Sequence, residues 1–334
     1  MIRAPAFWHA DPDRPGLLAR ALAPLGWLYA AATARRLAQA GYAPRVPVIC
    51  IGNLVAGGAG KTPVVLALAE RLAARGLVVH IVSRGHGGTA RGPLRVDAVR
   101  HGAAKVGDEP LLLAAFAPTW VARDRAAGVR AAEGAGAQVI LMDDGFQNPA
   151  VRSSLAVVVV DAARGFGNGR CIPAGPLREP VAVGLARADL VLAVGGAEAQ
   201  ARFRAVWGAA VRVPTVAGHL QVLRTGMDWR GQRVLAFAGI ADPERFFTTL
   251  SGLGAEVVRG EALADHSPLA EALLRRLAAE AAAMGAQLVT TEKDAARLPP
   301  AWRARVLTLV VRLQIDDWSP IDLALARLGL LSGP

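Results

Sequence analysis

Lysine is almost missing from this 334-residue chain: of its 38 basic residues only Lys61, Lys105 and Lys293 are lysine, the rest arginine. Cysteine is nearly as scarce. Cys50 and Cys171 stand alone and far apart, which excludes a disulfide framework and suits a reducing compartment. Aromatic residues make up 5% and form no stripe among the dispersed arginines, so a stacking platform for single strands is excluded and no nucleic-acid partner is expected. Long apolar runs are also absent. The charge-free stretch 21–34 contains Pro24 and falls short of the roughly 20 apolar residues a bilayer span takes, so no segment is expected to cross. No internal repeat or low-complexity tract appears beyond alanine-rich helices. What is abundant is apolar residue, at 53%, enough to exclude disorder. Acids number 27 against the 38 bases; the net charge of +11 points to anionic partners, either phosphates or an acidic membrane surface.

One pattern imitates export. Arg3, Arg14 and Arg20, an apolar run and Ala32-Thr33-Ala34 resemble a secretory leader, but Asp11, Asp13 and three prolines break it. Residues 16–41 read instead as a helix with Leu17, Leu18, Leu22, Leu25, Leu28 and Tyr29 apolar. It either packs on the domain core or lies in a headgroup layer, with Trp27 and Tyr29 as anchors. From Pro47 onward, short β-branched runs at 48–51, 78–82, 139–142, 156–160 and 190–194 alternate with helical patterns. Consecutive apolar positions suit strands buried on both faces, so the expectation is an α/β chain with a P-loop NTPase-type parallel sheet flanked by helices. Around 212–240 the rhythm breaks: runs at 211–216 and 234–237 flank a turn-rich stretch that reads as a hairpin or two-stranded linker. Further strands are expected at 256–258, 287–291 and 306–313, placing a domain over 1–215 and a second, smaller α/β domain over 216–334.

The strongest chemical signal is GNLVAGGAGKTP at 52–63, between an apolar strand and a helix. The candidate nucleotide site is Gly57, Gly58, Ala59, Gly60, Lys61, Thr62 and Pro63, where the backbone N–H groups of all but Pro63 can cradle phosphate oxygens. Lys61 can reach the β- and γ-phosphates of a nucleotide and the Thr62 hydroxyl can ligate magnesium. Val55 stands where a strict P-loop has its first glycine, and Pro63 costs little in a helix's first turn. A second signal, VILMDDG at 139–145, sets Asp143 and Asp144 at the carboxyl edge of the sheet, where a carboxylate commonly holds Mg²⁺ or its water. In VGDEP at 106–110, Asp108 and Glu109 suit the start of a helix; Asp108 becomes a general-base candidate if phosphate goes to a hydroxyl. Thr290-Thr291-Glu292-Lys293-Asp294 is not a guanine-selective motif, since Lys and Asp are adjacent.

Taken in order, GNLVAGGAGKTP, SRGHGG, VGDEP, DDGFQ, RGFGNGR, PAGPLRE, FAGIADPERF, DHS and TTEKDAARL resemble the tetraacyldisaccharide 4′-kinase (lipid A 4′-kinase) family, from about residue 5 to 300. The resemblance implies a two-domain kinase that moves the γ-phosphate of ATP to the 4′-hydroxyl of a tetraacylated glucosamine disaccharide 1-phosphate. The product would be lipid IVA, made at the cytoplasmic face of the bacterial inner membrane by a peripheral or monotopic enzyme. It implies that Asp108 is the catalytic base, paired with His266. Lys61 and Thr62 would hold phosphate and Mg²⁺, Asp143 and Asp144 would act at the metal, and Arg178 and Glu179 would lie in the active cleft, Glu179 with the metal ligands. Three positions depart from the usual family pattern: Asn148 for His, Ser267 after His266, and His86 for Tyr. The competing readings are a membrane-associated P-loop switch or partitioning ATPase, disfavoured by Ala56 where such proteins often carry a second lysine, and a nucleotide-sensing scaffold.

Overall fold

The computed structural model describes residues 5–58, 60–265 and 267–331. The expected strands form because each apolar run is covered on both faces. Val48–Gly52 (β1), Val79–Ser83 (β2), Val139–Asp143 (β5) and Leu190–Val194 (β7) are buried at every position. Joined by Leu94–Arg95 (β3), Thr119–Val121 (β4), Leu155–Asp161 (β6), Thr215–Val222 (β8) and Val311–Ile315 (β13), they make a sheet of order β13-β8-β7-β6-β1-β5-β2-β4-β3. Only the two edges, β3 and β13, are antiparallel to their neighbours. One face is packed by the helices Lys61–Ala73 and Ser319–Arg327, the other by Arg125–Gly134 and Ala197–Trp207.

A second sheet, order β10-β9-β11-β12, is wholly parallel: Arg233–Ala238 (β9), Glu256–Ala262 (β10), Gln287–Thr291 (β11) and Leu307–Leu309 (β12). Pro243–Gly252 covers one of its faces and Glu271–Ala283 the other. Of the two forms expected around 211–237, the hairpin does not form and the two-stranded linker does, though with a different second strand. β8 joins the large sheet beside β7, and β9 belongs to the small one. The chain instead crosses between sheets twice, and the two crossing segments pair as antiparallel β8 and β13. The single run expected at 306–313 is two strands in different sheets, so the chain from Val311 onward returns to the large sheet, with Ile321 and Leu325 in its core.

The 16–41 segment is two helices, Gly16–Ala21 and Ala23–Leu37. Their buried face carries small residues: Ala19, Ala23, Gly26 and Thr33. A Cβ on Gly26 would stand 2.9 Å from the Cys171 carbonyl oxygen, so glycine is what lets the helix lie this close. The large apolar side chains point away: Leu17 is 84% exposed, Trp27 71% and Leu28 68%. Tyr29, expected as an anchor, instead packs partly buried against the core. Among the described residues, no helix is long and apolar enough to cross a membrane.

Candidate active site

β1 lies in the middle of the large sheet, between β5 and β6, and its carboxyl end opens into the glycine-rich loop. Gly60, at φ 75°, turns the chain into the helix Lys61–Ala73. Thr62 and Pro63 therefore sit in the helix's first turn, where N–H groups have no intrahelical partner. In the neighbouring strand, Asp143 pairs in register with Ile51, so the acids end where the loop begins. Ala59 lies outside the described residues.

Three of the expected residues converge here. Lys61 Nζ is 3.4 Å from Asp144 Oδ1, and Arg178 Nη1 is 3.3 Å from that same oxygen. Asp144 takes a left-handed backbone, φ 51°, rare for a side chain with a Cβ, which suits a residue turned off the strand end toward the loop. Burial pushes its carboxyl upward, but the Lys61 and Arg178 charges outweigh burial and hold it below the usual range. At Asp143 the balance falls the other way, since Lys61 and Arg125 do not offset burial. This carboxyl is buried, accepts from Ser83 Oγ at 3.1 Å, and is pushed up to about 7 by burial and by the charge of Glu109.

Several contributors carry no sequence signal of their own. Asn53 donates through Nδ2 to Gly57 O (3.2 Å), and its Oδ1 accepts from Lys61 Nζ (3.4 Å), tying the loop to its lysine. Gln147 donates to Asn53 O (2.8 Å) and accepts from Arg178 Nη1 (3.2 Å). Buried Arg125 donates to the Asp143 carbonyl at 3.2 Å. These contacts join segments up to 94 residues apart, so no local spacing reveals them. Asn148, one of the family departures, caps a turn by accepting from Ala150 N at 2.9 Å.

Glu179, expected at a metal, is only 1% exposed. Both its oxygens lie 2.7 Å from Arg187 Nη2, and Oε1 also accepts from Gln147 Nε2 at 3.0 Å. Among the described residues, no group of three or more His, Cys, Asp or Glu gathers as a metal cage. A Mg²⁺ that keeps several waters and phosphate oxygens needs only one or two carboxylates. Asp143 and Asp144, at the end of the strand beside the Thr62 helix start, supply such a pair of carboxylates, and a cation there would favour the ionised form that burial disfavours at Asp143.

Asp108 comes from another part of the large-sheet side, and its neighbour Glu109 is close enough for its charge to act on Asp143. Asp108 itself opens the helix Asp108–Leu113 and is buried to 3% exposure. The small sheet reaches it: Lys293 Nζ and Arg297 Nε each lie 3.9 Å from Asp108 Oδ2. His266, expected to pair with Asp108, lies outside the described residues. The small sheet also approaches the loop, since Ala241 Cβ is 3.8 Å from where a Cβ on Gly58 would stand. Nearby, Arg164 Nη2 meets Asp242 Oδ2 at 3.3 Å.

A central strand, a glycine-rich turn with Lys-Thr at a helix start, and acids on the next strand define a P-loop NTPase-type protein. The family model for tetraacyldisaccharide-1-P 4′-kinase matches residues 18–328. The tetraacyldisaccharide 4′-kinase of Dinoroseobacter shibae is 62% identical and that of Jannaschia sp. 57%, each match covering 98% or more of both chains. The chain belongs to the tetraacyldisaccharide 4′-kinase family, and is an ATP-dependent lipid kinase of lipid A biosynthesis. That sets aside the switch, partitioning-ATPase and scaffold readings. In fold it is similar to LpxK from Aquifex aeolicus, a crystal structure of an "apo" form in complex with ATP. There the TM-score is 0.73 at 24% identity, over 93% of this chain and 99% of that one.

Proposed function

We propose that the loop Gly57–Pro63 holds the phosphates of ATP, with Lys61 on the β- and γ-phosphates, and that Asp108 takes the proton from the 4′-hydroxyl of the lipid. The freed oxygen attacks the γ-phosphorus, the bond from that phosphorus to the bridging oxygen breaks, and ADP leaves. Such transfer depends mostly on positioning and charge neutralisation, which Lys61 and Arg178, both held at Asp144 Oδ1, would supply. Thr62, Asp143 and Asp144 would hold Mg²⁺, which when bound supplies positive charge to the transferring phosphoryl group. Glu179 joins that set only by giving up Arg187 or Gln147; as it stands, it positions Gln147 and through it Arg178. His266 would orient Asp108.

The boundary expected near 215 is proposed in corrected form: one unit is built on the large sheet, which takes back the chain from Val311 onward, and the other on the small sheet over about 233–309, the two closing over the nucleotide. The exposed Leu17, Leu18, Leu25, Trp27 and Leu28 are proposed to enter the headgroup layer of an acidic membrane, placing the enzyme peripherally at the cytoplasmic face of the inner membrane where its acylated disaccharide 1-phosphate lies. The observation that carries the catalytic reading is the meeting of Lys61, Asp144 and Arg178 at the ends of β1 and β5. Asp108→Asn is expected to bind ATP as the wild type does and to transfer phosphate at least about 100-fold more slowly. Transfer near the wild-type rate would remove Asp108 from the role of base.

A further inference from the structure

We propose that Lys293 is a positioning residue for phosphoryl transfer, its ammonium reaching over from the small sheet to keep the Asp108 carboxylate ionised and correctly oriented. The proposal rests on Asp108 being the base. Lys293 sits on the short helix Glu292–Ala295 that directly follows β11, and this helix packs against Asp108–Leu113 of the other sheet. From there Nζ is 3.4 Å from Glu109 Oε1, 3.7 Å from Asp265 Oδ1 and 3.9 Å from Asp108 Oδ2. One ammonium thus serves three carboxylates drawn from both sides of the cleft.

The backbone that carries Lys293 is held firmly. Asp294, fully buried, accepts from Gly239 N at 3.0 Å and from Thr291 Oγ1 at 2.7 Å. Glu292, on the other side, takes a two-pronged contact from Arg312 of β13, at 2.7 and 3.1 Å. Arg297, the other cation near Asp108, is committed elsewhere. It pairs with Asp294 and donates to Ser267 O at 2.8 Å.

Among the described residues, the charged groups around Asp108 include Glu109 on its own helix, Lys293 and Arg297 after β11, and Asp265 after β10. His86 sits on the loop whose backbone passes Gly107, and His266 follows Asp265 in the chain. Removing Lys293 takes away a cation 3.9 Å from this buried carboxylate and leaves the like charges of Glu109 and Asp265, which share that ammonium, without it. Burial and like charge both favour the protonated acid, and a protonated Asp108 cannot accept the hydroxyl proton. A lysine that merely joined the two sheets would leave this protonation unchanged.

The test is the pH profile of kcat/KM for the lipid substrate in Lys293→Met, Lys293→Arg and Asp265→Asn, with ATP affinity measured alongside. Lys293→Met is expected to move the acid limb upward by about one pH unit or more. It should lower kcat at neutral pH, partly recover at alkaline pH, and leave ATP affinity unchanged. Lys293→Arg, which keeps the charge, should return the limb toward the wild-type position. Asp265→Asn, which removes a competitor for the ammonium, should move it downward, and so gives a reading even if Lys293→Met fails to fold. An acid limb that stays in place in both Lys293→Met and Asp265→Asn overturns the proposal. Asp108→Asn separates the two readings: if it is inactive while the limb stays put, only the role of Lys293 falls, and if it still transfers phosphate, the base assignment itself falls.

Discussion

Lys61 is restrained by two oxygens, Asn53 Oδ1 and Asp144 Oδ1, each at 3.4 Å, and those residues are restrained in turn by Gln147 and Arg178. The chain of contacts runs on through Gln147 to Glu179 and ends at Arg187, whose guanidinium also lies 4.4 Å from the Phe146 ring centroid. Glu179 is its buried keystone, since one carboxylate holds both an amide and a guanidinium. Glu179→Ala is expected to destabilise the protein by about 1–3 kcal/mol in urea unfolding, through loss of charge-assisted hydrogen bonds. It should also lower kcat, as Arg178 loses the group that fixes Gln147. Unchanged stability would show that Arg187 and Gln147 find other partners. Lys61, Thr62, Asp143 and Asp144 were legible as candidates because each lies in a contiguous motif whose spacing carries its own chemistry, whereas Asp108 read as a plain helix start and became a base candidate only through the family resemblance. Asn53, Gln147, Arg187 and Arg297 stand in or beside the same motifs, yet their roles depend on side chains brought from distant segments. Lys293 stood out by rarity alone. Its partners, Asp108 and Glu109, come from a different sheet.

At the scale of elements, the long buried strands were readable because covering both faces forces apolar residues onto consecutive positions. β3 and β4, of two and three residues, are too short to show any period. The split of 306–313 between β12 and β13 was hidden as well, because an apolar run gives no sign of which sheet each half joins. The N-terminal pair of helices inverts the usual pattern, with small residues inside and large apolar ones outside. The sequence left core packing and interfacial binding open, and the geometry assigns one face to each neighbour: the small face to the 171–174 turn, the large face outward. Gly26→Val would thrust a side chain into the Cys171 carbonyl, 2.9 Å from its Cβ, and is expected to cost about 1–3 kcal/mol by overpacking. Thermal or urea unfolding measures it, and a neutral result would mean that the helix is not held at this distance.

For the whole molecule, the proposed membrane contact draws on the +11 charge and the exposed Leu17, Leu18, Leu25, Trp27 and Leu28 together. Each fully buried large apolar side chain adds about 1.5–3 kcal/mol, and arginines add attraction to acidic headgroups that salt screens. Replacing Trp27 and Leu28 with serine is expected to weaken sedimentation with anionic vesicles at least about tenfold, since roughly 1.4 kcal/mol already corresponds to a factor of ten. Raising salt should release the wild type further, and activity toward a detergent-dispersed lipid should persist in the double variant. Vesicle binding unchanged by both the substitutions and salt would exclude this surface as the membrane contact.

The division of labour between the two sheets comes together at one chemical event, arrival of the γ-phosphate at a sugar hydroxyl. The most direct measurement follows label from γ-labelled ATP into a tetraacylated glucosamine disaccharide 1-phosphate, with and without Mg²⁺, and locates the new phosphate on the product. The expected result is label at the 4′ position, dependent on Mg²⁺, abolished in Lys61→Ala and reduced at least about 100-fold in Asp108→Asn. ATP hydrolysis with no label on the lipid, or label at another position, would contradict it.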